Sequence, residues 1–314
     1  GSKSTALGRS ALGSQNFTSA TDTYNTAVGY DAGNAVTTGI NNTFIGGLAG
    51  DANTTGASNT AVGSGSLGSN TTASNNTAVG FAAGTAVTTG INSTLVGSLS
   101  GDAITTGNQN TALGTLSLST ETTGAKSVAL GYAALTTQNS TNSADMFNVA
   151  VGYEAGGAIT TGANNTLIGG LAGDANTTGA SNTAVGSSSL GSNTTGGTNT
   201  AVGSGSLGSN TTASNNTAVG KSALGANTTG SVNVSVGTDS LKLNTTGSSN
   251  TAIGQASLEA NTTASFNTGV GRNALALTTT GASNTAVGYN SLVANTTGTQ
   301  NTGVGAEALD ANTT

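Results

Sequence analysis

The chain reads as an all-β, parallel β-solenoid of about 18 coils. Two observations predict this. One unit of 17 residues, approximately N-T-A-V-G-x-x-S-L-x-x-N-T-T-G-x-x, recurs from Ser4, Asn25 and Asn42 through to Asn301. At one phase of every copy a Val, Ile or Leu is followed by Gly. A fixed period near this length marks a stacked array in which each repeat buries its apolar face only against its neighbours. Composition excludes the ordinary alternative. Only 34% of residues are hydrophobic and 6% charged, and there is no Cys, His, Pro or Trp, so a conventional globular core is out of reach. Disorder would suit such a polar composition, but a disordered chain does not hold an aliphatic residue at one phase over hundreds of residues.

With position 1 set at the Asn or Ser of each unit, positions 2 to 4 read as a strand. Position 2 is Thr or Val (Val128, Val149, Val234), two β-branched residues of nearly equal shape. Position 4 is aliphatic, as in Val28. Positions 2 and 4 share a face, and position 3, usually Ala but Phe44, Leu95 and Leu167 in three units, has the other. Position 5 is always Gly (Gly29, Gly131, Gly152), which predicts a positive φ or a close backbone approach. Positions 7 to 9 read as a second short strand. Position 9 is Leu in many units (Leu67, Leu190), which mostly carry Asn at position 12. Where it is Gly (Gly33, Gly84, Gly101, Gly156), position 12 is Val or Ile, a swap that conserves interior volume. Gly50 and Gly173 pair with Asn instead, and Leu48 and Leu171 at position 7 are expected to fill the gap. Asn-Thr-Thr-Gly at positions 12 to 15 reads as an outer bend whose side chains bond from coil to coil, and it also matches the glycosylation acceptor pattern N-x-[ST]. Coils at the parallel-strand spacing of about 4.8 Å would make a rod on the order of 80 Å long.

Residues 1–3 read as an expression scar and lead-in, and the chain as an excised fragment. Residues 4–314 read as a single continuous array with no charged or Pro-rich linker. The units at 4–24 and 127–147 are longer, with 21 residues each, and carry bulges at Gln15 to Tyr24 and Gln138 to Phe147. They lie 123 residues apart, and the sequence after each copy also matches, so whole blocks were duplicated.

Ser127-Val128-Ala129-Leu130-Gly131 and Asn148-Val149-Ala150-Val151-Gly152 resemble the S-V-A-I-G motif of YadA-like trimeric autotransporter adhesin heads. The motif's continuation into Ser or Ala is matched by Ser66, Ala83, Ser117, Ala134 and Ser189. The N-T-A-V-G…N-T-T-G form is also similar to repeats of tail-fibre proteins that carry a self-cleaving C-terminal chaperone domain. The resemblance covers nearly the whole chain, although the adhesin repeats are shorter. It implies a left-handed β-roll, a homotrimer with the small position-3 residues near the neighbouring chains, and an extracellular place on a cell or virion surface.

Candidate sites are few. The net charge of −6, with isolated Lys and Arg, leaves no nucleic-acid footprint, and no run of 18 apolar residues predicts a membrane span. Without His or Cys, acid–base chemistry would fall to scattered carboxylates, so neither catalysis nor a cofactor is expected. No calcium-binding nonapeptide occurs; Asp22 and Asp145 in the bulges are where a cation would be sought, and no metal is expected. Position 6 varies and carries Tyr30, Phe81, Tyr132, Tyr153, Tyr289 and Arg272, side chains suited to stacking on sugars or to protein contact, but more simply read as shielding backbone or sitting at a chain–chain seam. The bulges add Phe17, Asp22, Tyr24, Asp145 and Phe147 as candidate loop contacts with a host-surface glycan or protein. The sequence therefore points to an extracellular structural or adhesive fibre segment. The alternative is an ice-binding solenoid using the Thr columns of positions 13 and 14.

Overall fold

The computed structural model describes residues 3–17 and 21–313. Gly1 and Ser2 of the expected lead-in, residues 18–20 in the first bulge, and Thr314 lie outside it. The described residues form a parallel β-solenoid without helix, in two compact units, Gly1–Thr161 and Gly162–Thr314.

The first unit holds nine strands of three residues: β1 Thr5–Leu7, β2 Thr26–Val28, β3 Thr43–Ile45, β4 Thr60–Val62, β5 Thr77–Val79, β6 Thr94–Val96, β7 Thr111–Leu113, β8 Val128–Leu130 and β9 Val149–Val151. Consecutive strands pair in parallel with identical positions opposed, as in Thr60↔Thr77 and Val62↔Val79. The second unit repeats this with β10 Thr166–Ile168, β11 Thr183–Val185, β12 Thr200–Val202, β13 Thr217–Val219, β14 Val234–Val236, β15 Thr251–Ile253, β16 Thr268–Val270, β17 Thr285–Val287 and β18 Thr302–Val304. Each strand occupies positions 2 to 4 of its repeat, as the sequence predicts.

The hydrogen-bonded ladder does not stop at the strands. Thr26 N–H donates to Asn42 O, Gly33 N–H to Ala49 O and Thr37 N–H to Thr54 O, each reaching one coil onward, while Leu48 N–H returns to Tyr30 O and Ser58 N–H to Ile40 O. Backbone groups therefore find partners around most of the coil, as a narrow tube requires.

The expected second strand at positions 7 to 9 is not formed. Positions 7 and 9 both lie in the left-handed region, as in Asp31 (φ 53°) and Leu67 (φ 49°). Tight turns replace it: Ala32 N–H bonds Gly29 O at 3.5 Å and Asn34 N–H bonds Asp31 O at 3.1 Å, with Asp31 and Gly33 as their third residues. A third residue with positive φ is the mark of a type II turn. A leucine held there costs about 1–2 kcal/mol, which its burial at position 9 offsets: Leu67, Leu118, Leu190, Leu207 and Leu241 are fully buried.

Position 3 is the interior face of the strand. Ala61, Ala184, Phe44, Leu95 and Leu167 have no exposed surface, so the expectation that position 3 lies against neighbouring chains is overturned. Positions 2 and 4 point outward; Ile45, Leu113 and Ile253 are 39%, 44% and 41% exposed.

The volume swap between positions 9 and 12 holds, with Val36, Val87, Ile104 and Ile159 buried, but it has a third partner. A Cβ on Gly50 would lie 2.4 Å from the Phe44 ring, and one on Gly33 would lie 2.7 Å from it. Leu95 fills the space over Gly84 and Gly101 in the same way, and Leu167 that over Gly173. A large position-3 side chain thus takes the room that leucine at position 9 leaves. Leu48, expected to fill this gap, is 43% exposed, and Leu171 is only half-buried.

The asparagines of positions 1 and 12 are interior too, which corrects the reading of position 12 as part of an outer bend. Asn59 Nδ2 donates to Ala73 O at 2.8 Å, and its Oδ1 accepts from Asn76 N–H at 3.0 Å. At position 12, Asn193, Asn210, Asn227, Asn244 and Asn261 each donate Nδ2 to Oδ1 of the Asn one coil earlier. That ladder ends where Thr278 replaces Asn and leaves Asn261 Oδ1 without a partner. Buried amides in such ladders are not accessible as glycosylation acceptors.

The packing account predicts strong coupling between Phe44 and Gly50. Phe44→Ala alone should cost about 3–5 kcal/mol through the cavity it opens, and Gly50→Leu alone should also destabilise by overpacking. Together they rebuild the common Ala–Leu–Asn coil and should restore most of the loss, giving a coupling of about 2 kcal/mol or more by hydrogen exchange. Additive losses would show that the two side chains do not share one space.

Candidate functional site

The four-residue insertion of the second long unit is accompanied by two substitutions inside the asparagine columns. Position 12 is Glu121 in the coil before the insertion and Gln138 in the insertion coil itself; both are fully buried. Glu121 Oε1 accepts from the N–H groups of Thr122, Thr123 and Gly124 at 2.9, 3.1 and 2.6 Å, and from Ser140 N–H at 3.1 Å. Its Oε2 accepts from Gln138 Nε2 at 2.9 Å. Gln138 also donates to Ser127 Oγ at 3.0 Å and accepts from Asn148 Nδ2 at 2.8 Å. The longer Gln spans the distance left by Ser at position 1. One carboxylate thereby ties its own bend to the root of the insertion.

The insertion then stacks on the preceding coil. Asp145 bridges to Ala125, Met146 N–H bonds Ala125 O at 2.9 Å, and the Met146 side chain is buried. Lys126 Nζ meets Asp145 Oδ2 at 2.7 Å and lies 5.3 Å from the Phe147 ring centre. Beside the insertion is a polar groove of about 490 Å³. Its floor holds the position-14 threonines of three successive coils, Thr89, Thr106 and Thr123. Asn108, Gln109, Ala125 and Lys126 line one side, and Ser143 and Asp145 of the insertion also border it.

The first long unit carries the same side-chain set. Lys3 Nζ meets Asp22 Oδ2 at 2.7 Å and lies 5.2 Å from the Tyr24 ring centre. The bond to Asp22, then that to Tyr24, raises the Lys3 pKa above the ordinary lysine value. Gln15 Nε2 reaches Ser4 Oγ and Thr23 Oγ1 at 3.1 and 3.0 Å. Asp22 and Asp145, where a cation would be sought, are therefore each already paired with an ammonium. Phe17, at the start of the first bulge, is only part-exposed. Among the described residues no group of three His, Cys, Asp or Glu gathers, and no helix is long and apolar enough to cross a membrane.

The position-6 side chains are exposed, and the structure brings only some of them together. Tyr132 and Tyr153 stack with centroids 5.5 Å apart and planes at 11°, and Arg9 lies 5.5 Å over Tyr30. Phe81 stands between Ser64 and Ser98 of the flanking coils, and Arg272 and Tyr289 occupy the same position of consecutive coils. Hydrogen bonding and charge from Asp31 hold the Tyr30 phenol above its usual pKa, and Glu154 does the same to Tyr153. Elsewhere Asp102 has one carboxylate oxygen buried without a partner, and burial raises its pKa.

Sequence reasoning singled out Asp22, Tyr24, Asp145 and Phe147 but missed Lys3, Lys126 and Glu121. The signals were present. Lys, Asp and an aromatic recur at the same 123-residue offset, and Glu121 breaks a position otherwise held by Asn, Gln, Thr or an aliphatic residue. No family model, curated protein or solved structure matches the chain.

Glu121→Ala should leave four N–H groups and one side-chain amide without their acceptor. A cost of about 2–4 kcal/mol is expected, seen as faster hydrogen exchange and proteolysis across residues 138–146. Unchanged protection there would mean that Glu121 does not hold the insertion.

Proposed function

We propose that the chain is a segment of an extracellular structural or adhesive fibre, as in trimeric adhesin heads or phage tail fibres, built by parallel association of three copies. The observation that carries this reading is the outward column of Val, Ile and Leu at position 4. In each unit nine such residues stand in line, part-exposed or, as at Ile45 and Ile253, about two-fifths exposed, beside a column of Thr or Val at position 2. A regular exposed apolar column marks an interaction surface. Fully burying one such side chain is worth about 1.5–3 kcal/mol, so covering the exposed part is worth at most about 1 kcal/mol per coil.

Commensurability selects the partner. A column repeating at the coil spacing needs a partner of the same spacing along its length, and a second copy in parallel register supplies it automatically. The column contains no charge, so like columns meet without repulsion. Three chains then present every surface feature in triplicate, which suits weak multivalent attachment.

Ice binding is the competing reading, because the position-14 threonines form an exposed column. Position 13 contributes less than its sequence suggests: Thr37, Thr54 and Thr88 each spend their hydroxyl proton on a carbonyl of the next coil.

Light scattering should give a solution mass of about 89 kDa, three times the chain's 29.6 kDa. Val62→Lys with Val185→Lys, both on the outward face, should lower it to that of the single chain without loss of β-structure. A single-chain mass for the parent would contradict the assembly, and freezing-point depression would then be the next measurement.

A further inference from the structure

We propose that the groove beside the second insertion binds a neutral oligosaccharide, and that it is where the fibre attaches. The identification of the ligand comes from the groove's chemistry, while its biological use rests on the fibre reading above.

The volume of about 490 Å³ falls within the range of about 300–1,000 Å³ usual for small-molecule sites. The floor repeats one threonine per coil, Thr89, Thr106 and Thr123, at the strand spacing of about 4.8 Å. The Thr123 hydroxyl donates to Ser140 O at 2.6 Å and accepts from Ser143 N–H at 3.2 Å, which fixes the insertion and leaves the exposed Thr89 and Thr106 to face a ligand. A ligand that follows the groove thus meets two successive hydroxyls, one coil apart, that both donate and accept hydrogen bonds. The side holds the Gln109 side chain, and the end holds Lys126 and Asp145. A chain of sugar rings offers the matching pattern, hydroxyls that donate and accept along its whole length.

Charge narrows the class further. The Lys126 ammonium and Asp145 carboxylate neutralise each other at 2.7 Å while their side chains remain 39% and 43% exposed. Both can therefore reach a ligand, yet the site carries no net charge. Phosphorylated, sulfated or nucleic-acid ligands call for clustered Arg and Lys, and the groove has Lys126 alone, already paired. An apolar peptide or lipid chain would find almost no apolar lining. An uncharged polyhydroxylated ligand satisfies the groups present.

Two further features point the same way. Phe147, 49% exposed, stands beyond Lys126 with the ammonium against its ring, and offers an aromatic surface beside the groove. The Lys–Asp–aromatic set is built twice, at Lys3, Asp22 and Tyr24 and again at Lys126, Asp145 and Phe147, with matching distances. A purely structural insertion needs neither an exposed aromatic nor an exposed ion pair, since Glu121, Gln138 and Met146 anchor it from inside.

The test is retention of the whole chain on an immobilised panel of neutral oligosaccharides ending in glucose, galactose, mannose or N-acetylhexosamine, with sialylated and sulfated counterparts alongside. At least one neutral member should retain the protein. Thr106→Arg, which fills the groove from an exposed floor position, should weaken retention at least tenfold. Asp145→Ala should weaken it similarly, and Thr229→Arg, the same change at the same repeat position outside the groove, should leave it unchanged. Retention by no neutral glycan, retention only by acidic ones, or retention indifferent to Thr106→Arg would each overturn the proposal. Solution mass is read separately: glycan binding by a single-chain species would keep the groove and remove the trimer, while a trimer that binds no glycan would do the reverse.

Discussion

The structure depends on one close approach of backbone to backbone. At position 5 of each coil the chain leaves the strand at a φ between 126° and 140°. At Gly29, Gly63, Gly114 and Gly203 a Cβ would lie only 2.3–2.5 Å from the carbonyl oxygen of the equivalent Gly in the following coil. Both facts demand glycine independently. The conformation is one that side chains disfavour, and the stacking leaves no room for one. Identical turns at this contact let coils superpose in register, so each position meets its own copy above and below.

The columns follow from that register. Position-1 and position-12 asparagines meet like partners and close ladders inside the tube, so polar side chains fill a core that this composition could not fill with apolar ones. Leucine at position 9 accepts an unfavourable backbone angle in return for burial. Where glycine relieves the angle, Phe44, Leu95 or an aliphatic residue at position 12 restores the volume. Outside, the same register aligns the position-4 aliphatics and the position-14 threonines. The insertion closes one end of the threonine column at Thr123, so that Thr89 and Thr106 lie in a groove.

Much of the fold was legible in the sequence. The period, the strand at positions 2 to 4, the glycine at position 5 and the volume swap at positions 9 and 12 each follow from a residue type recurring at one phase. The inward face was not legible. A three-residue strand offers only one alternation, and Thr-Ala-Val places its smallest side chain inside because the tube is narrow, against the usual expectation that the larger aliphatics are buried. The turns at positions 7 and 9 were hidden because leucine, serine and aspartate occupy left-handed angles that composition assigns to glycine or asparagine. At the candidate site, the exposed Asp and aromatic residues were found and their lysine partner was not. A lone Lys reads as solvated surface until the insertion brings Asp145 and Phe147 to it.

The most direct test of this account compares two glycines of one coil. Gly63 and Gly65 both have positive φ, 134° and 68°. A Cβ on Gly63 would lie 2.3 Å from Gly80 O, whereas one on Gly65 would meet nothing within 4 Å. Other coils already place Ala82 and Ala256 at the Gly65 position with φ of 52° and 54°. By hydrogen exchange across residues 59–80, Gly63→Ala should destabilise the stack by several-fold more free energy than Gly65→Ala, whose cost should stay near the roughly 1 kcal/mol of a left-handed alanine. Equal effects of the two substitutions would contradict backbone stacking at position 5 as the constraint that sets the fold.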